Sequence, residues 1–133
     1  MRRTPGPGLV EGRLAPCPSS PNCVSTQSGE GRSRMDPLPF SESPAQARAH
    51  LLEILGALRR VTVVTAEESY IYAECRSAVL RFVDDLEIAI DAEAKVIHFR
   101  SASRLGYSDL GVNRARVAEI MRRYRQNTQD VGH

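Results

Sequence analysis

The sequence has no tryptophan and only four tyrosines and three phenylalanines among its 133 residues. A core built from this chain must therefore be mostly aliphatic. No apolar run approaches the roughly 18 residues that a membrane-spanning helix needs, so we expect no transmembrane segment. Hydrophobic residues make up 41% of the chain and charged residues 26%. Both fractions are ordinary for a globular protein and argue against wholesale disorder.

Lysine is almost absent, because Lys95 is the single lysine among 18 basic residues. The formal net charge of +2 is too small to indicate a nucleic-acid partner. The many arginines either reflect a coding bias or serve anion recognition, since the guanidinium fork matches carboxylate and phosphate groups. The sequence thus favours an anionic small molecule over nucleic acid as a partner.

The N-terminus lacks the apolar stretch of a signal peptide. Arg2 and Arg3 give a basic start, but residues 5–8 are Pro-Gly-Pro-Gly where such a peptide would be hydrophobic. We therefore expect a cytoplasmic location for the chain as given.

Composition divides the chain into four segments. The first 41 residues are rich in proline, glycine and serine and show little periodic hydrophobicity, whereas the rest is periodic. Met35, Leu38 and Phe40 are the residues expected to anchor the first part to the domain. We expect a disordered tail at 1–12, an extended cysteine-containing arm at 13–41, a single α+β domain at 42–126 and a frayed C-terminus at 127–133.

Two stretches carry helical signals. Ser43, Pro44 and Gln46 form a capping box with proline at the first helical position, and the helix is expected to end near Arg59-Arg60. Ser108-Asp109 predicts the start of a second helix. Residues at helical spacing, apolar except for Asn113, mark the inward faces: Ala47, Leu51, Ile54, Leu55 and Leu58 in the first helix, and Leu110, Asn113, Val117, Ile120, Met121 and Tyr124 in the second.

Between the helices, β-branched residues and strict alternation predict four strands, at 61–65, 70–76, 80–91 and 97–103. The predicted fold is an α+β two-layer sandwich. In it a four-stranded antiparallel meander with one solvent-exposed face is flanked by two helices, in the order helix-strand-strand-strand-strand-helix. An extended N-terminal arm precedes it.

Charge patterns suggest how these strands pair. If Ile90 faces Ile97, then Glu87 faces Arg100, so apolar residues meet on one face and opposite charges on the other. Asp84 then lies opposite Ser103. The same reasoning pairs the preceding strands with Cys75 facing Leu80 and Glu74 facing Arg81.

Asp84 is unusual because alternation places it on the apolar face, between Phe82 and Leu86. A buried carboxylate needs a partner or a raised pKa. Its position opposite Ser103 brings it near Arg104. Asp84 is either a poised acid or ligand-binding carboxylate, or a structural partner of Arg104, or part of a bulge that turns it outward.

The densest polar stretch is residues 100–114, which run from a strand end through a loop into a helix N-terminus. Free backbone N–H groups at a helix N-terminus attract anions, and arginine, serine and tyrosine side chains supply further donors. The alternative is a capped turn whose arginines pair with nearby aspartates. With Asp84, the ligand-binding residues we predict are Arg100, Ser103, Arg104, Tyr107, Asp109, Asn113 and Arg114.

The three cysteines suggest one pair and one isolated thiol. Cys17 and Cys23 flank a loop stiffened by two prolines, so we expect them to lie close together as a disulfide candidate. Cys75 alternates with Ile71 and Ala73 and is expected to be a buried, unreactive thiol. The histidine and cysteine spacing matches no zinc site, and Asp84 and Asp85 point to opposite faces of a strand, so no metal or other cofactor is predicted.

Three segments together resemble the family known as domain of unknown function 1499: 17–25 (CPSSPNCVS), 82–87 (FVDDLE) and 100–114. The resemblance covers roughly residues 14–125 and implies that the three segments belong to one module. Members occur in bacteria and often carry membrane or export segments, so association with the cell envelope stays open. The family has no established activity. The resemblance marks as motif positions Cys17, Asn22, Cys23, Asp84, Asp85, Arg100, Ser103, Arg104, Asp109, Asn113 and Arg114.

These observations leave three functional hypotheses. The leading one is a small non-enzymatic domain that binds an anionic small molecule or polar partner at residues 100–114, with Asp84 orienting an arginine. The second is an enzyme that uses Asp84 as general acid or base near Ser103 and Tyr107. The third is a protein-interaction module that uses the polar sheet face, around Tyr72, Arg76, Arg81 and Arg100.

Overall fold

The fold is described from a computed structural model, which places residues 7–18, 22–28, 31–78, 82–104 and 111–131. Two helices and one six-stranded antiparallel sheet make an α+β architecture. The elements in chain order are β1 (Cys23–Ser25), a 3-10 turn (Gly31–Ser33), β2 (Leu38–Pro39), α1 (Pro44–Ala57), β3 (Val61–Ala66), β4 (Tyr70–Arg76), β5 (Val83–Asp91), β6 (Val96–Ser103) and α2 (Val112–Val131).

The sheet has two more strands than the sequence predicted. Its order is β1-β6-β5-β4-β3, and β2 also pairs with β6. The β3–β6 meander is the predicted one, and the arm adds β1 and β2 along the outer edge of β6. β1 has three residues and β2 has two. Strands this short cannot show a periodic pattern of hydrophobicity, so nothing in the sequence indicated them.

The pairing of β5 with β6 matches the prediction, with Ile90 opposite Ile97 and Glu87 opposite Arg100. The pairing of β4 with β5 does not, because Cys75 lies opposite Asp84 and Glu74 opposite Asp85. The expected partners Leu80 and Arg81 lie outside the described residues. The prediction began the third strand at residue 80, whereas β5 begins at Val83, so the ladder starts three residues later than expected.

Both helices pack on one face of the sheet and bury an aliphatic core. Ser43 caps α1 with both hydrogen bonds of the predicted capping box, and Leu58 follows the helix as its C-cap. The predicted inward residues of α2 that the structure describes are all buried: Asn113, Val117, Ile120, Met121 and Tyr124. Leu38 and Phe40 are buried in the same core and Met35 packs against it, so the expected anchors are confirmed.

The sequence predicted that the opposite face of the sheet is exposed to solvent, but the N-terminal arm covers part of it. Residues 7–18 lie against it, where Leu14 packs with Tyr70, Tyr72 and Ala89. The strand pattern predicted a polar face correctly, but strand alternation carries no information about a distant arm that folds over it. Phe82, in contrast, was expected on the apolar face and is 53% exposed because it precedes β5.

Candidate functional site

A buried polar cluster joins the start of α2 to the ends of β5 and β6. Asn113 is fully buried. Its Oδ1 accepts hydrogen bonds from Ser101 Oγ (2.6 Å) and Arg116 Nη1 (3.0 Å), while its Nδ2 donates to Ser103 Oγ (3.0 Å) and to the Asn22 carbonyl (3.1 Å). One amide therefore ties α2 to β6 and to the residue that precedes β1. We call Asn22, Asp84, Ser101, Ser103, Asn113 and Arg116 the Asn113 cluster.

Asp84 is buried, as alternation predicted, but its cation is not the expected one. Its Oδ2 pairs with Arg116 Nη1 at 2.9 Å. Arg104 instead pairs with Asp85. The expectation failed because Ser103 shares the face of Asp84, so the next residue along the chain points to the other face of the sheet.

Arg116 is held firmly on one side only. Its Nη1 lies within hydrogen-bond distance of Asp84, Ser101 and Asn113. Its Nε and Nη2 have no partner among the described residues. Arg100 Nε is the one buried side-chain nitrogen or oxygen that lacks a partner in the described parts of the chain, so the unpaired edge of Arg116 reaches solvent. That Nε–Nη2 edge is the fork with which arginine binds carboxylates and phosphates in a bidentate manner.

A cavity of about 490 Å³ opens beside Arg116. It lies between the C-terminal end of α1, the start of β3, the end of β4 and the middle of α2. Its volume is within the range of small-molecule sites. The charged side chains of its wall are Glu119 and five arginines: Arg59, Arg60, Arg76, Arg116 and Arg123.

The five arginines of the cavity wall differ in whether a carboxylate neutralises their charge. Arg123 pairs with Glu119 at 2.7 Å and Arg76 with Glu74 at 3.3 Å. Arg59 and Arg60 are exposed and have no side-chain hydrogen bond or ion pair to any described residue. The wall therefore combines one anchored guanidinium with two that have no counter-charge, which makes its potential positive.

Cys75 also lines this cavity. It is buried, as predicted, and burial raises the pKa of its thiol to about 11, although the Arg116 charge opposes that shift. The thiol is therefore protonated at neutral pH and is a weak nucleophile. Its neighbours across the sheet are Val61 and Asp84 rather than Leu80.

The three arginines that the sequence singled out are engaged within the domain. Arg100 Nη1 pairs with Glu87 at 3.3 Å, and both side chains are at most 1% exposed. Arg104 donates to Asp85, Glu74 and Tyr72, and these hydrogen bonds raise the pKa of its guanidinium. Arg114 Nη2 donates to the carbonyls of Arg32 and Arg34. Tyr107 and Asp109 lie outside the described residues.

The arm side of the sheet contains a second polar group of residues. Tyr70 donates to Glu87 at 2.6 Å, and the Gly8 N–H donates to the same carboxylate oxygen at 2.8 Å. Tyr72 donates to Asp85 at 2.6 Å. Burial, with a smaller effect from that hydrogen bond, raises the pKa of Tyr72 to about 12. These tyrosines stay neutral and serve as hydrogen-bond donors beneath the arm.

The arm is closed by a disulfide between Cys17 and Cys23, whose Cα atoms are 5.7 Å apart. The predicted proximity of these cysteines is confirmed. The bond links the covering arm to β1, and β1 pairs with β6 next to Arg100.

The family model for the protein of unknown function DUF1499 matches residues 13–123, most of the chain. The chain belongs to this family. No curated protein and no solved structure matches it.

In this DUF1499 domain the three motif segments meet at the Asn113 cluster. The first segment contributes the Asn22 carbonyl, the second Asp84, and the third Ser101, Ser103 and Asn113. Asp85 and Arg104 pair on the other face of the sheet. Motif positions that are distant in sequence thus serve two adjoining polar networks.

Sequence reasoning did not single out Ser101, Arg116 or the cavity arginines Arg59, Arg60 and Arg123, and it assigned Arg76 to the polar sheet face instead. Arg116 had a usable signal, because it follows Asn113 by three residues and therefore lies on the same side of the helix. The cavity had none, since it joins four elements that only the tertiary structure brings together.

The described residues include no group of three or more histidine, cysteine, aspartate or glutamate side chains arranged to hold a metal ion. Across the described ranges of this DUF1499 domain, neither helix combines the length and apolarity needed to cross a membrane.

Proposed function

We propose that the domain binds an anionic small molecule in the arginine-lined cavity, with Arg116 as the anchor. The observation that carries this proposal is the arrangement of Arg116. Its Nη1 is held by Asp84, Ser101 and Asn113, while its Nε–Nη2 edge reaches solvent at the cavity. A guanidinium already fixed in place loses little conformational freedom when it binds an oxyanion.

The site differs from the one expected at residues 100–114. Arg100, Arg104 and Arg114 already have internal partners, so an anion would have to displace them. Arg59 and Arg60 have none among the described residues and border the cavity, which makes them the outer contacts in the proposed site.

Asp84 has a positioning role in this proposal. Its carboxylate holds Arg116 at 2.9 Å and is not part of the cavity wall. General acid or base chemistry at Asp84 requires access to a substrate, and no observation favours this second hypothesis. Tyr72 and Arg100 are buried beneath the arm, which disfavours the third hypothesis of a protein-binding sheet face.

The test is calorimetric titration with inorganic phosphate, pyrophosphate, citrate and mononucleotides. We expect at least one of them to bind the wild type. Arg60→Ala and Arg116→Lys should each weaken that binding about tenfold, because a charge-assisted hydrogen bond contributes about 1.5–3 kcal/mol. Arg116→Lys keeps the charge and removes the fork, so it separates geometry from electrostatics.

The matched control is Arg125→Ala. Arg125 is an exposed arginine on α2 outside this cavity, and it has no side-chain partner among the described residues. Its loss should leave anion affinity unchanged. Equal weakening in Arg125→Ala and Arg60→Ala would show nonspecific charge attraction and refute the proposed site, as would the absence of binding by all four anions.

A further inference from the structure

The edge strand β3 has an open side. It pairs with β4 along one side, and no strand among the described residues pairs with the other. Edge strands usually carry charged residues or proline that block pairing with another chain. Val61–Ala66 contains neither, and Val63 and Val64 are 36% and 53% exposed.

Opposite charges flank this uncharged strand. Arg59-Arg60 precedes it and Glu67-Glu68 follows it. The structure gives these four side chains no ion pair with any described residue; the Glu67 main chain, in contrast, accepts a hydrogen bond from Arg48. Two unpaired cations and two unpaired anions thus lie at the two ends of one open edge.

We propose that β3 pairs with β3 of a second copy of the chain, antiparallel and about a twofold axis between Val63 and Val64. In this register Thr62 of each copy lies opposite Thr65 of the other. Arg59-Arg60 of each copy then lies beside Glu67-Glu68 of the other, just beyond both ends of the ladder. A twofold interface uses each contact twice, so four opposite-charge pairs form around a central valine contact.

The geometry of β3 limits the strength of this contact. Arg48 donates to the carbonyls of Ala66 and Glu67, which leaves Val61–Thr65 as the part of the edge available for pairing. The irregularity between Val63 and Thr65 also increases the local twist. The dimer is therefore weak and depends on salt, because its ion pairs are exposed and screened.

The test is sedimentation velocity across a concentration series at low ionic strength. The wild type should show a monomer–dimer equilibrium that shifts toward monomer as salt is added. Glu67→Arg/Glu68→Arg places four arginines at each end of the contact and should abolish the dimer. Arg59→Glu/Arg60→Glu places four glutamates there and should do the same.

Mixing the two double variants gives the decisive measurement. Each one repels itself, but the arginines of the first match the glutamates of the second at both ends, so the mixture should form a heterodimer. The control Glu53→Arg/Glu93→Arg changes the net charge equally at exposed positions on α1 and the β5–β6 turn, and should dimerise like the wild type. A monomeric wild type at all concentrations, or mixed variants that stay monomeric, would overturn the proposal.

This inference is independent of the proposed function, although Arg59 and Arg60 belong to both. Glu67 and Glu68 do not line the arginine-lined cavity. Glu67→Arg/Glu68→Arg should therefore lose the dimer and keep anion binding. Failure of one proposal is thereby separated from failure of the other.

Discussion

The side-chain amide of Asn113 forms hydrogen bonds with three separate parts of the chain. Its oxygen accepts from β6 and from the next turn of α2, and its nitrogen donates to β6 and to the Asn22 carbonyl. A buried polar group becomes costly when its partner is removed. The residue thus links stability to the placement of Arg116.

Replacing Asn113 with alanine should lower the free energy of unfolding by about 2–4 kcal/mol, because several buried partners lose a hydrogen bond together. Urea denaturation measures this loss. The control is Asn127→Ala, the same substitution on the same helix at a half-buried residue with no side-chain hydrogen bond to the described chain. Comparable losses in both variants would contradict the structural role of Asn113.

At the scale of elements, local signals in the sequence succeeded and long-range pairings were harder to predict. The capping box at Ser43 and the inward face of α2 depend on residues three or four apart, which a sequence displays directly. The Arg116–Asp84 pair and the cover of the sheet by Leu14 depend on distant segments. Alternation predicted that Asp84 is buried, but it could not identify which arginine pairs with it.

The capping box provides a prediction for α1. Ser43 Oγ accepts from the Gln46 N–H at 3.1 Å, and the Ser43 N–H donates to Gln46 Oε1 at 3.2 Å. Ser43→Ala should reduce the free energy of unfolding by about 1 kcal/mol, since an orphan N–H group at the helix start loses its acceptor. Thermal and urea denaturation would detect it, whereas Ser41→Ala, outside the helix, should have no effect.

At the scale of the whole molecule, the arm and the sheet act as one folded unit. Thr26 Oγ1 lies 2.9 Å from His98 Nδ1 and accepts from the Phe99 N–H at 2.9 Å. These contacts continue the β1–β6 pairing beyond the last strand residue of β1. Burial, assisted by the charges of Arg13 and Arg34 and opposed by Asp91, lowers the pKa of His98 below its usual 6.5.

This shift predicts how global stability depends on pH. Above about pH 6.5 His98 is neutral in both the folded and the unfolded state, so it adds nothing to the slope of stability against pH. Below that value His98 binds a proton in the unfolded chain but stays neutral in the folded protein, whose His98 pKa is lower. Stability therefore falls as the pH falls toward the folded pKa. The slope from one such group cannot exceed about 1.4 kcal/mol per pH unit.

Urea denaturation between pH 7.5 and 5.0 tests this prediction. The carboxylates titrate in the wild type and in His98→Gln alike, so the difference between the two unfolding free energies isolates the contribution of His98. The stability of the wild type should decrease more steeply than that of the variant as the pH drops below about 6.5. His50→Gln serves as the histidine control and should leave the His98 contribution in place. Parallel pH profiles for wild type and His98→Gln would refute the assignment.

The pairing of β1 with β6 has a consequence for the order of events during synthesis. Cys23 lies opposite Ala102. Because β1 is synthesised first among the strands and β6 last, the β1–β6 ladder cannot form until β6 has been made. The Cys17–Cys23 loop spans only six positions, so its ends can approach each other without help from any later strand. The arm of a growing chain therefore has no partner strand until β6 has been made, and the outer edge of β6 then provides one. Contacts this far apart in sequence slow folding, which makes closure of the β6 edge a late step in maturation.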